Sequence, residues 1–256
     1  MITEDKITYI TNWLNDYCIS SKQEGFVIGI SGGIDSAVTS ALCVKTGKQT
    51  LLVNLPLRQN PQELKRACDH IEKLEKENKN VRSITIDLSK LFSLFEDTLT
   101  KTVTENKLAM ANSRSRLRMT TLYALAQTNN MLVVGTGNKI EDFGVGFFTK
   151  YGDGGVDISP IADLSKTEVK ELAASLNISS EIREATPTDG LWDDESRTDE
   201  QQLGASYKEL EWAMDYKGNN VHLSEREIEV LAIYKRFNTQ NKHKMIPIPI
   251  CKIPNH

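Results

Sequence analysis

Gly29-Ile30-Ser31-Gly32-Gly33-Ile34-Asp35-Ser36 follows the apolar run Phe26-Val27-Ile28 and precedes a helix-compatible run from Ala37 to Val44. A strand, a glycine-rich turn and a helix in that order aim backbone N–H groups and a positive helix terminus at an anion. Gly32 and Gly33 can adopt crowded or left-handed conformations that let phosphate oxygens approach the main chain. Ser31 and Ser36 add hydroxyl donors. Asp35 is foreign to a pure anion cradle, but it makes sense if Mg²⁺ lies between it and the phosphates. The plainer reading is a glycine turn entering a helix, and the flanking strand and helix weigh against it.

The common phosphate loop ends in Gly-Lys-Ser/Thr and the dinucleotide fingerprint spaces its glycines differently, so this stretch is neither. Working outward, Ile7, Ile10, Leu14 and Tyr17 fall at helical spacing and predict an opening amphipathic helix. Thr50 to Leu55 reads as a second buried strand, and Leu64, Ala67, Cys68, Ile71 and Leu74 as one face of a charged helix. Val81 to Leu88 alternates as a third strand. Helices are expected near 89–100 and 105–128, and Met131 to Val134 forms a fourth strand. Strands alternating with helices predict an α/β fold: a Rossmann-like parallel sheet with helices on both faces, in one domain spanning 1–256. Ligands gather beyond the carboxyl ends of such strands, where 31–36 and 135–141 both lie.

After Gly137 the pattern changes. Residues 137–158 are rich in glycine and aromatics and read as a long ordered loop. A helix at 166–176, a polar stretch at 184–202, helices near 206–215 and 224–238 and a Pro-broken tail complete the chain. The formal charge of −4 offers no general attraction to nucleic acid or anionic membranes. Cys18, Cys43, Cys68 and Cys251 are too scattered for a zinc knuckle or redox pair and read as buried thiols. No run approaches membrane-spanning length and no signal peptide opens the chain, so a cytoplasmic protein is expected.

A second constellation lies at 135–155. Gly135-Thr136-Gly137-Asn138-Lys139-Ile140-Glu141 places a carboxylate where it could share a metal with Asp35. Gly146-Phe147-Phe148-Thr149-Lys150-Tyr151-Gly152-Asp153-Gly154-Gly155 combines aromatics, a lysine and glycines that suit a stacking surface beside an anion. Taken alone, these could be a solvated glutamate and a glycine-rich surface loop. Together with the first loop they resemble the N-type ATP pyrophosphatases, and more closely the ammonia-dependent NAD synthetases. Leu164-Ser165-Lys166, Pro187-Thr188 before an acidic stretch, and His243-Lys244 follow in that family's order. The resemblance runs from about residue 5 to 250.

The resemblance implies an adenine nucleotide alpha hydrolase-like fold and a Mg²⁺-dependent ligase that amidates deamido-NAD with ammonia and ATP. The products would be NAD, AMP and pyrophosphate, formed through an acyl adenylate in the final step of NAD biosynthesis. It assigns Gly29, Ile30, Ser31, Gly32, Gly33, Ile34, Asp35, Ser36, Thr136, Lys166 and Thr188 to ATP. Arg116, Lys150, Asp157, His243 and Lys244 are assigned to deamido-NAD. Asp35 and Glu141 would hold the metal, while Asp35, Lys150 and Lys166 would act in catalysis. The interval from Glu141 to Gly146 is one residue longer than in some members, which leaves Asp142 as the alternative metal ligand. Asp153 is a weak candidate to take a proton from ammonium.

Arg114, Arg116 and Arg118 sit on a helix where neighbours two apart diverge. Arg114 and Arg118 share a face and are read as solvated; Arg116 on the other face is the one that the resemblance turns to the site. A homodimer is implied as well. Other adenylating pyrophosphatases, including tRNA-modifying ones, and a non-catalytic ATP sensor are the competing readings. The missing basic patch and missing paired cysteines speak against tRNA thiolation, and the two metal carboxylates with the lysines speak against a sensor.

Overall fold

A computed structural model describes residues 2–188, 190–192, 198–218 and 222–253. Its centre is a parallel sheet of β1 (Gly25–Gly29), β2 (Gln49–Asn54), β3 (Val81–Thr85) and β4 (Met131–Val133) in the order β3-β2-β1-β4. β1 pairs with β2 from Gly25 opposite Gln49 to Gly29 opposite Val53, and with β4 from Gly25 opposite Met131. The chain therefore steps outward from β1 to β2 to β3, then returns to the other side of β1. The crevice where this order reverses lies between the carboxyl ends of β1 and β4, the ligand position of doubly wound sheets.

The helices are α1 (Thr3–Ser20), α2 (Ile34–Lys45), α3 (Pro61–Glu77), α4 (Ser89–Thr98), α5 (Lys101–Thr104) and α6 (Lys107–Asn129) in the first half. The second half has α7 (Lys166–Ser175), α8 (Ser180–Arg183), α9 (Asp199–Leu203), α10 (Tyr207–Asp215) and α11 (Glu225–Met245). Strand alternation divides the core between the two faces of the sheet. Phe26, Ile28 and Leu52 join Leu14 of α1, Val38 and Leu42 of α2 and Leu172 of α7 on one side. Val27, Leu51 and Val53 join Phe92 of α4 and Met110 and Ala126 of α6 on the other. A third cluster, built on Ile140, Val145, Leu203, Leu210 and Val230, packs α9, α10 and α11 against the segment after β4.

The expected parallel α/β sheet is present, with local differences. β3 ends at Thr85 instead of Leu88, although Ile86 and Leu88 still donate to Asn54 and Pro56 along β2. α11 runs to Met245, seven residues beyond its expected end, because Asn238 and Asn241 bond the carbonyls of Gly144 and Val145. Tertiary bonds make helix of a polar stretch, and the residue before Pro247 leaves the α region. Cys18 and Cys43 are buried as expected, whereas Cys68 and Cys251 are exposed. Among the described residues, no helix is long and apolar enough to cross a membrane.

His70 of α3 is buried against α2, with Nε2 2.9 Å from Ser40 Oγ. Burial, helped by Lys73, pushes its pKa down to about 4. Between that value and the unfolded pKa near 6.5, the unfolded chain binds the extra proton, so stability falls as pH drops through this window. His70→Gln should remove a loss of roughly 3 kcal/mol between pH 7 and pH 4. Denaturant titrations of both proteins at the two pH values measure it; parallel losses would refute the assignment.

Candidate active site

Gly32 has φ of +85°, and a Cβ there would lie 2.2 Å from the Glu63 carbonyl oxygen of α3. Only glycine lets this turn pass so close to a helix backbone. Ser36 Oγ receives the Ser31 amide at 3.3 Å and donates to the Gly33 carbonyl at 3.0 Å, holding the loop against its own helix. Gln59 and Arg66 donate to the carbonyls of Ser31 and Gly32 from outside. No side chain caps α2, whose N-cap is Gly33, so its first amides remain available to an anion.

Asp35 lies in the first turn of α2. Its Oδ2 accepts from Lys166 Nζ at 2.6 Å, and the same ammonium donates to Glu141 Oε1 at 2.9 Å. Lys166 is 2% exposed. It is the first residue of α7, placed there by the capping box of Ser165 and Glu168. A cation at the positive end of a helix is unfavourable by itself; the two carboxylates compensate it. Burial opposes the lysine charge, but Asp35 and Glu141 outweigh it and raise the pKa, so the ammonium persists.

Burial also pushes both carboxyls up. At Glu141 the Lys166 charge and the Tyr207 hydroxyl prevail and hold the group below its usual range. At Asp35 burial, reinforced by Glu141, prevails over Lys166. The opposite directions reflect one shared cation, and the geometry is that of two carboxylates bridged by an ammonium.

Glu141 stands on a π-helical turn, Ile140–Val145. A π turn holds one residue more than an α turn, so it has room for the extra residue that the resemblance implies between Glu141 and Gly146. Glu141, not Asp142, shares Lys166 with Asp35. Asp142 also lines the cleft, its carboxyl pushed up to about 8 by burial and then by Glu141, Asp153 and Asp35. Asn138 is fully buried and ties the halves together, donating to Asp35 Oδ1 at 3.1 Å and accepting from the amides of Ile140 and Glu141.

These groups open on a cleft lined also by Thr136, Thr188, Arg66, Arg118 and Asp153. The expected ATP residues therefore converge; Thr188 Oγ1 additionally donates to Glu63 Oε1 at 2.5 Å. Part of the acidic stretch at 184–202, namely residue 189 and residues 193–197, lies outside the described residues. Asp153 accepts from Ser115 Oγ at 2.7 Å and from the Thr149 amide at 3.0 Å, so it braces the glycine-rich segment.

None of Arg116, Lys150, Asp157, His243 and Lys244 lines this cleft. Three of them form a chain at the surface: Arg116 Nε donates to the Lys150 carbonyl, and Lys150 Nζ to the His243 carbonyl at 2.8 Å. Lys244 donates to the Phe148 carbonyl at 2.7 Å. Asp157 accepts from Tyr123 and from the Val133 amide, at the end of β4. The basic pair His243 and Lys244 sits in the last turn of α11, not in a tail.

The arginines correct the sequence reading. Arg114 is 4% exposed, with its guanidinium bonded to the Leu191 carbonyl and set 5.1 Å from the Phe92 ring centre. Arg118 lines the cleft and donates to the Leu55 carbonyl; burial, with Arg114 beside it, pushes its pKa down to about 10. Both were expected in solvent, and it is Arg116 that is exposed. Sequence reasoning also missed Asn138 and Tyr207. The only signal for Asn138 was its place just after a strand end, where asparagine caps helices.

Asp35 and Glu141 fit a hard cation: both are oxygen donors within reach of one shared positive charge. Among the described residues no group of three or more His, Cys, Asp or Glu side chains forms a metal cage. Mg²⁺ commonly takes one or two carboxylates and completes its shell with phosphates and water.

The NAD synthase family model matches residues 6–246. The ammonia-dependent NAD(+) synthetase of Alkaliphilus oremlandii is 36% identical over 255 residues, 96% of this chain and 97% of that one. The corresponding enzyme of Mesoplasma florum is 37% identical over 213 residues, 82% of this chain and 84% of its own. Among solved structures, the NMN synthetase of Francisella tularensis superposes with a TM-score of 0.85 at 34% identity over the whole of both chains. The ammonia-dependent NAD synthetase of Campylobacter jejuni gives 0.76 at 24% over 98% of this chain and all of its own, a likeness of fold. With the glycine-rich loop, the bridged carboxylates and a match over nearly its full length, the chain belongs to the NAD synthase family.

Proposed function

We propose that this ligase amidates deamido-NAD with free ammonia in two steps within the cleft at the β1–β4 crevice. The observation that carries the reading is the bridge Asp35–Lys166–Glu141 beside the uncapped start of α2. A nicotinate carboxylate oxygen attacks the α-phosphorus of ATP, the bond from that phosphorus to the bridging oxygen breaks, and pyrophosphate leaves. Ammonia then attacks the acyl carbon, the carbon–oxygen bond breaks, and AMP departs with that oxygen. A carboxylate has no good leaving group, and adenylation supplies one.

The chain's own contribution is positioning and charge. The amides of α2 and the hydroxyls of Ser31 and Ser36 hold phosphates, and Lys166 supplies a buried positive charge. Asp35 and Glu141 would hold Mg²⁺, which when bound neutralises phosphate charge and makes the α-phosphorus more electrophilic. Thr136 and Thr188 flank the same nucleotide. Arg116, Lys150, Asp157, His243 and Lys244 would engage deamido-NAD beyond the cleft, which suits a homodimer with the dinucleotide near its interface. Leu91, Leu94, Phe95, Val103 and Leu108 leave apolar surface exposed on α4 to α6 for such a contact. Sedimentation should therefore give a species near twice 28.7 kDa, and a stable single chain at micromolar concentration would count against the dimer. The whole chain would act as one cytoplasmic catalytic unit.

Two assays test the chemistry. NAD should form with ammonium and not with glutamine as the nitrogen source. Deamido-NAD carrying heavy oxygen in its carboxylate should pass one labelled oxygen to AMP, and ADP or unlabelled AMP would exclude the acyl adenylate. The likeness to an NMN synthetase favours one second reading, amidation of nicotinate mononucleotide, which carries the same reactive carboxylate. A higher kcat/KM for the mononucleotide than for deamido-NAD would decide for it.

A further inference from the structure

Tyr207 touches both charge types of the site. Its hydroxyl lies 2.6 Å from Glu141 Oε1 and 3.1 Å from Asp199 Oδ2, and its ring centre lies 4.6 Å from Lys166 Nζ. The side chain is 4% exposed. A phenol carries its proton at neutral pH and can donate it to a carboxylate. One phenolic proton faces two carboxylates, and the shorter distance gives it to Glu141.

The backbone that carries this ring is fixed from three sides. Ser206 and Glu209 form a capping box that makes Tyr207 the first residue of α10. Arg226 of α11 grips the Glu209 carboxylate at 2.7 and 3.0 Å. The Tyr207 amide donates to Glu200 Oε1 at 3.0 Å, in α9. A ring so held has little freedom, and it restricts whatever it bonds.

We propose that Tyr207 is a positioning residue for the ligase reaction: its hydroxyl aims the Glu141 carboxylate, and its ring seats the Lys166 ammonium. This rests on the reading of Glu141 as a metal ligand. Partners that orient a metal-binding carboxylate are commonly worth 10–100-fold in metal affinity or activity.

Tyr207→Phe separates the two contacts, since it keeps the ring under Lys166 and removes the hydroxyl. The probe is Mn²⁺ titrated into the enzyme saturated with α,β-methylene ATP, with free Mn²⁺ followed by electron paramagnetic resonance. The half-saturating Mn²⁺ concentration should rise by about 10-fold or more, with the thermal midpoint nearly unchanged. In a Glu141→Gln background the same substitution should add almost nothing, because the effect passes through Glu141.

Equal Mn²⁺ affinity of Tyr207→Phe and wild type would overturn the proposal. So would equal losses in both backgrounds, which would mark the hydroxyl as a general support of the fold. If Mn²⁺ binding in wild type were itself insensitive to Glu141→Gln, the metal assignment would fail. If Tyr207→Phe failed to fold, 4-aminophenylalanine in place of Tyr207 would serve instead: its amino group donates from the position of the hydroxyl and should keep Mn²⁺ affinity within a few-fold of wild type, and a 10-fold loss would overturn the idea.

Discussion

Asp35→Asn should cut turnover by about 10²–10³-fold, the range seen when one preorganised electrostatic group is removed from an active site. The substitution keeps the size of the side chain in the first turn of α2, and its one carbonyl oxygen can still accept from either Asn138 or Lys166, though not from both. Core packing is untouched, so the thermal midpoint should stay close to that of the parent. What goes is the charge, and with it half of the pair that faces Lys166. Turnover like that of wild type at limiting Mg²⁺ would sink the assignment; the same assay on Glu141→Gln and Asp142→Asn tests the second ligand.

Lys166→Met should produce a comparable loss, about 10²-fold or more, for the opposite reason. Removing the buried ammonium leaves Asp35 and Glu141 facing each other, and two close carboxylates cannot both stay charged out of water. In the free enzyme Lys166 stands between the two groups that would take the metal. The methionine variant should therefore bind Mn²⁺ without any nucleotide, while wild type binds it well only when phosphates draw the lysine toward them. Titration calorimetry of both proteins without ATP measures this. A variant with no gain in Mn²⁺ affinity and normal turnover would remove Lys166 from the site.

The sheet and the glycine turn at 29–36 were legible in the sequence, because both are written in local chemistry. Strand, glycine turn and helix are adjacent from Phe26 to Val44, and the alternation of strands with helices leaves few parallel topologies. Asp35, Glu141, Lys166 and Thr188 were recognisable from ordered motifs. Their convergence on one cleft agrees with a sheet whose strand order reverses between β1 and β4.

Which helix faces turn inward and which distant side chains meet emerges only once the elements are packed. Helix geometry says that Arg114 and Arg118 share a face, but not that this face lies against Phe92, Leu55 and the cleft. The outcome depends on how α6 packs on the sheet, and exposure was assigned to the wrong side. Asn138 bonds Asp35 from 103 residues away, and Tyr207 reaches Glu141 across 66. No periodicity or cap signal carries such a pairing, since it arises only when β4, the π turn and α10 are packed together. α11 is the same case in milder form: the helix is expected to end at Asn238, with Asn241 beyond it, until the carbonyls of the π turn are placed opposite these two side chains. Local preferences are weak, a few tenths of a kcal/mol per residue, and a pair of buried hydrogen bonds exceeds them.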